Sequence, residues 1–159
     1  MCHCSDKSCP WSPMKTLPLI FALFISSAMA CPHLEGSYHF CRVKNALEDM
    51  NLRIIQNISG NFSTYELQGF LEATLQADGS ITRRENPDGP FNGSVNEQSS
   101  SCKNGELIWI SRTKDARGIL LISTDTRLSR RNSQLTIKEK GVLYGIPFKR
   151  NITCTRTEP

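Results

Sequence analysis

The sequence predicts an all-β protein, an antiparallel meander closing into a small barrel of about eight strands with at most one short helix. Three observations predict it. Apolar residues alternate with period two along most of the chain after residue 31, turn residues separate these runs at short spacing, and helical periodicity is poor, its best stretch a short turn over 44–50.

The elements follow in order. Leu34, Gly36, Tyr38 and Phe40 fall on one face of a first extended segment, with His33, Glu35, Ser37 and His39 on the other. Leu52, Ile54 and Ile58 alternate next, interrupted by Ile55; Ser63, Tyr65 and Leu67 follow, then Leu71, Ala73 and Leu75. Asp78-Gly79 before Ile81 has the composition of a hairpin turn. From Asn86 the run NPDGPFNGSVNEQSSSC is dense in turn residues and reads as loop, with at most a short strand near Phe91. After Asn104-Gly105 the strands resume: Leu107, Trp109 and Ser111 alternate with Ile108 and Ile110, ILLIST (119–124) follows a turn at 115–118, and Leu135 and Ile137 lie on a later strand. Val142, Tyr144, Ile146, Phe148 and Ile152 share one face of the last segment. Pro147 cannot donate to a ladder, so the barrel should be open or kinked there.

The N-terminal 30 residues read as a signal-peptide region. From Met14 the chain carries one lysine, an apolar run from Leu17 to Ile25, and Ala28-Met29-Ala30 before Cys31, the three-part layout of a cleaved leader proper over 14–30, short and bacterial in type. The apolar run is shorter than the ~20 residues a transmembrane helix needs. Cleavage would leave residues 31–159 as a single β-barrel domain of 129 residues, periplasmic or secreted, with net charge falling from +4 to +3. That is too mildly basic for a nucleic-acid-binding protein.

Seven cysteines become four on cleavage, Cys31, Cys41, Cys102 and Cys154, an even number that points to two disulfides in an exported chain. A closed meander brings the start of its first strand beside the end of its last. Among the three connectivities that four cysteines allow, this favours Cys31 with Cys154 and Cys41 with Cys102. The competing reading of Cys31 as a lipidated first residue would leave three thiols.

The stretch CPHLEGSYHFC (31–41) mirrors Cys-x-His with His-x-Cys and raises the question of a metal site. An extended chain separates its two cysteines by on the order of 30 Å, and a hairpin centred on Gly36 would consume the clearest buried-strand pattern in the chain. No metal is therefore expected there. The upstream Cys2, His3, Cys4 and Cys9 have zinc-ligand types but lack a second half-site and precede the cleavage point.

The LEGSYHF segment resembles the Gly-x-Trp first strand of lipocalins and other calycins, with Gly36 matching the glycine and Tyr38 standing for the tryptophan. It is also similar to small exported barrel proteins of Gram-negative bacteria whose mature chains begin Cys-Pro-x-Leu-x-Gly, most of them of unassigned role. The first resemblance implies an eight- or ten-stranded barrel that binds small apolar molecules. It also implies a basic residue near the last strand packed over the aromatic, a place for Arg150 or Arg156.

Catalytic chemistry finds little support. His33 and His39 are the only histidines after residue 30, Gly36-Ser37 is not a nucleophile elbow, and the carboxylates Glu48, Asp49, Asp115 and Asp125 are scattered. The four Asn-x-Ser/Thr triplets, at Asn57, Asn61, Asn92 and Asn151, are what a chain rich in Asn and Ser produces by chance. The expectation is a non-enzymatic barrel with no cofactor, binding a small apolar ligand through Tyr38, Trp109, Tyr144 and Phe148. The alternative is a surface-acting envelope protein, either an inhibitor of a wall-degrading enzyme or a binder of anionic envelope polymers through Arg127, Arg130 and Arg131 on a hairpin tip.

Overall fold

The computed structural model describes residues 31–43, 46–48, 50–60, 62–86 and 92–157. The leader, the upstream cysteines, Asn61 and Phe91 lie outside the described residues. Among these residues all regular structure is β and no helix occurs. The strands are β1 (Gly36–Val43), β2 (Ala46–Glu48), β3 (Leu52–Ser59), β4 (Phe62–Gly69), β5 (Ala73–Gln76), β6 (Ile81–Asn86), β7 (Ser94–Lys103), β8 (Glu106–Lys114), β9 (Leu120–Arg131), β10 (Gln134–Leu143) and β11 (Ile146–Thr157).

The sheet order is β5-β4-β3-β1-β11-β10-β9-β8-β7-β6, antiparallel throughout, with β2 adding to β1. The predicted meander is therefore present, with ten strands on its path instead of about eight, curled into a small open barrel. Where a short turn was expected over 44–50, Ala46–Glu48 forms β2.

The path has two ends, β5 and β6, and these are consecutive in the chain. The hairpin expected at Asp78-Gly79 does not form: β5 pairs with β4, β6 pairs with β7, and neither pairs with the other. The linking turn binds elsewhere. The Ala77 N–H donates to the Ser63 carbonyl (2.9 Å), that of Gly79 to the Ser100 carbonyl (2.8 Å), and the Ser100 hydroxyl to the Gln76 carbonyl (2.7 Å). Ser100 thus clasps the ring where the ladder is missing.

The buried core lies at the end of the barrel that holds the β7–β8 and β9–β10 turns. Tyr38, Leu52, Ile54, Tyr65, Leu67, Leu75, Leu107, Leu128, Leu135, Ile137 and Ile152 are buried there; the alternation predicts all of these except Leu128, and it also predicts Ile58, which is exposed. The segment 31–35 is not strand. It plugs this end, with Leu34 buried; the Tyr38 and Tyr65 hydroxyls donate to the carbonyls of Leu34 (2.5 Å) and Pro32 (2.8 Å), and the Leu34 N–H donates to the Gln56 side chain (3.0 Å).

Three expectations fail for identifiable reasons. Phe40 is 61% exposed because a β-bulge interrupts the alternation: Phe40 takes φ 51°, the pairing shifts between His39 and Arg42, and Cys41 turns into the core instead. Residues 94–102 form the ten-residue strand β7 with Lys103, although their Asn, Gln and Ser content reads as loop. The segment carrying Val142 to Ile152 is split by a two-residue turn at Tyr144-Gly145, whose φ values are 48° and 81°.

The disulfides are Cys31–Cys102 and Cys41–Cys154, not the favoured pairing. Ser37 stands opposite Thr157, so Cys154 lies partway along β11, beside the Phe40-Cys41 bulge, with the Cα atoms of Cys41 and Cys154 4.0 Å apart. Cys31, ahead of β1, reaches Cys102 near the end of β7. Its sulfur is thereby committed, leaving no thiol for lipidation. Two such bonds point to an oxidising environment.

Beyond Val43 no strand among the described residues pairs with the β1 side of β11, which leaves residues 146–151 as an edge. Pro147 sits on it, exposed, where its missing N–H costs no ladder bond.

Candidate functional site at the open seam

Ring closure without a ladder leaves a cavity. Between β4–β5 on one side and β6–β8 on the other lies a space of about 180 Å³, lined by Thr64, Gln76, Thr82, Gln98, Ser100 and Trp109 among others. Apart from Trp109 and Leu75, every lining side chain carries a hydroxyl or an amide, and none is charged. On the β7–β8 side three of the lining residues follow from strand parity. Gln98 and Ser100 lie on β7 at the same alternation as Cys102, and their cross-strand partners on β8 are Ser111 and Trp109.

Trp109 is half-buried and packs against the core. Its indole N–H is buried and finds no acceptor among the described residues. Such a donor costs about 1–3 kcal/mol unless something accepts from it.

The other aromatics expected at the site are dispersed. Tyr38 is fully buried, its hydroxyl spent on the Leu34 carbonyl; burial raises its pKa, offset by a hydrogen bond from Arg130 and the charges of Arg130 and Arg156. It is a core residue. Phe148 lies three strands from Trp109 on the inner face, over Gly141, where a Cβ would fall 3.0 Å from the Phe148 ring and 1.9 Å from the Ser123 carbonyl oxygen. Tyr144 stands on the β10–β11 turn, 58% exposed. Only Trp109 of the four lines the seam cavity.

Between Trp109 and Phe148 the inner face carries Thr126, 2% exposed, and the Glu139–Arg150 ion pair across β10 and β11. Arg150 is thereby engaged. Arg156 is the register partner of Tyr38 and passes over Gly36, whose Cβ would fall 2.6 Å from the arginine Nε; that Nε is buried and finds no acceptor among the described residues.

Arg127, Arg130 and Arg131 do not form one tip. Arg127 lies partway along β9, near Asp125 (3.3 Å) and Glu106 (3.8 Å), Arg130 donates to the Glu35 carbonyl (3.3 Å), and Arg131 is exposed at the turn. His33 and His39 each face an amide oxygen, of Gln56 (3.2 Å) and Asn51 (2.5 Å). Among the described residues no cluster of three His, Cys, Asp or Glu side chains is placed to hold a metal.

Gln76, Thr82, Gln98 and Ser100 carry no site motif recognisable in the sequence. Thr82, Gln98 and Ser100 stand at inward positions, where polar residues erase the alternation by which a strand is recognised, and Gln76 alternates with the inward Leu75 and is exposed; the parity of Gln98 and Ser100 with Cys102 is the one sequence signal. Compared with protein-family models, curated proteins and solved structures, the chain matches none.

Proposed function

We propose that the protein is an exported, non-enzymatic barrel that binds a small neutral molecule at the seam between β5 and β6. The observation that carries this reading is the buried, unaccepted indole N–H of Trp109 in a residue that lines the seam cavity. The absence of charge in the lining supports an uncharged occupant, and its hydroxyl and amide groups favour one that hydrogen-bonds over one that is purely apolar. The volume is below the roughly 300–1,000 Å³ of pockets for drug-sized ligands, which suits a single ring-sized group. The two disulfides support an extracytoplasmic setting, and the leader favours the periplasm or medium of a bacterium.

Native mass spectrometry of the exported, oxidised protein tests this. The expected result is a small-molecule adduct that is lost on Trp109→Phe and retained on Tyr144→Asn. A spectrum without adduct, or an adduct that survives Trp109→Phe, rejects it.

A second reading, contact with an anionic envelope polymer, draws on the outer face of β9–β11. There Arg127 stands opposite Lys138, and Lys140 opposite Lys149. Like charges directly opposite are destabilising, so an anionic partner would relieve them. This reading expects binding to weaken steeply with salt.

A further inference from the structure

At the end opposite the core, the inner face of the sheet is mixed in polarity. Asn96, Ser111, Thr113 and Thr124 share it with Ile122 and Phe148, and the rim beyond them is apolar. Of the eight exposed large apolar side chains among the described residues, five sit on this rim: Ile119, Leu120, Leu143, Tyr144 and Ile146. The rim is continuous, since the Tyr144 N–H donates to the Leu121 carbonyl (2.8 Å) and Leu143 pairs with both Ile122 and Ile146.

The turn that carries Tyr144 is informative. Asn104 and Asn132 lead the β7–β8 and β9–β10 turns at φ 53°, and Tyr144 leads the β10–β11 turn at φ 48°. Asn tolerates this left-handed region, whereas a bulky side chain there is an outlier. The third turn therefore forgoes the favoured residue and holds an aromatic ring outward.

Cations lie just behind the rim. Lys149 makes no ion pair among the described residues and stands opposite Lys140, which Asp125 approaches at 3.4 Å; Arg112 on β8 stands opposite Glu97. Lys114 and Arg117 are offset by Glu97 (2.8 Å) and Asp115 (3.3 Å). An apolar edge tipped by tyrosine and backed by cations has the chemistry of an interfacial anchor. A second copy meeting rim to rim would instead bring Lys140 and Lys149 toward their own counterparts, which like-charge repulsion opposes.

We infer that this rim docks on an anionic lipid surface, with Ile119, Leu120, Leu143, Tyr144 and Ile146 entering the headgroup region and Lys140 and Lys149 against the phosphates. The inference is independent of the seam ligand. It is tested by flotation of the full, oxidised protein with vesicles of phosphatidylcholine alone or mixed equally with phosphatidylglycerol. The protein should float with the mixed vesicles, roughly tenfold less with the neutral ones, and Tyr144→Asn should lower binding to the mixed vesicles by roughly tenfold. Asn suits that turn, so the variant should fold; Lys149→Ser should weaken binding and reduce its salt dependence. No flotation of the wild type, or flotation indifferent to both substitutions, overturns the inference. So does a sedimentation equilibrium showing a dimer abolished by Tyr144→Asn without vesicle binding.

Discussion

The two ends of the barrel use the same strands to opposite purpose. At the plugged end β7 to β11 turn Cys102, Leu107, Leu128, Leu135 and Ile152 inward, and both disulfides lie there. At the open end the same strands turn Asn96, Ser111, Thr113 and Thr124 inward beside Ile122 and Phe148, and put isoleucine, leucine and tyrosine on the rim. Apolar burial is worth roughly 25 cal/mol per Å², so cohesion concentrates at one end and leaves the other available for recognition. The seam, with Trp109, lies between them.

The largest effect should come from the staples. Replacing both Cys41 and Cys154 by Ala should cost about 2–5 kcal/mol in urea denaturation of the otherwise oxidised protein. Its sequence separation of 113 exceeds the 71 of Cys31–Cys102, which by loop entropy makes its loss about 0.4 kcal/mol the more damaging. Next in size, Leu128→Ala, in the core, should cost about 2–5 kcal/mol, whereas Ile122→Ala on the same strand near the rim should cost less than about 1 kcal/mol. Equal losses at the two positions would erase the distinction between the ends.

That distinction also marks where the sequence could be read. The plugged end was legible because Ser63-Tyr65-Leu67, Leu135 and Ile137 alternate as half-buried strands do, and the fold class followed from them. The bulge at Phe40 was not, since it depends on how β1 and β11 meet, and missing it put Cys41 at the wrong level and the cysteine pairs in the wrong combination. β7 was invisible because its inward side chains are polar. Two of them, Gln98 and Ser100, line the seam cavity. Of the aromatics conspicuous at inward positions, Trp109 lines the seam cavity whereas Tyr38 is buried in the core.

The two ends should also respond to opposite extremes of pH. Tyr65, buried at the plugged end, donates to the Pro32 carbonyl, and burial pushes its pKa from 10 up to about 12. The unfolded chain loses this proton first, so the stabilisation is complete below pH 10 and is lost as pH rises toward 12. Tyr65→Phe should flatten that alkaline fall in a series of urea midpoints. At the open end Asp115 accepts from the Ile119 and Arg117 N–H groups, and these bonds, with the Arg117 charge, hold its pKa below 3.8. Its contribution is complete above that value and is lost as pH falls through the lower folded-state pKa, so amide exchange in the β8–β9 turn should quicken on acidification before the core responds.

The smallest effect has the most telling sign. Tyr144→Asn replaces the residue least suited to φ 48° with one that the sister turns already use at 53°, and it should raise stability by about 0.5–1 kcal/mol. Most surface substitutions do nothing or destabilise. A gain in the urea midpoint accompanied by loss of vesicle binding would mean that the chain forgoes stability at this turn to keep an aromatic ring on its rim. A loss of stability would instead mean that the Tyr144 side chain holds the two hairpins together, and the open end would then be a second, smaller core.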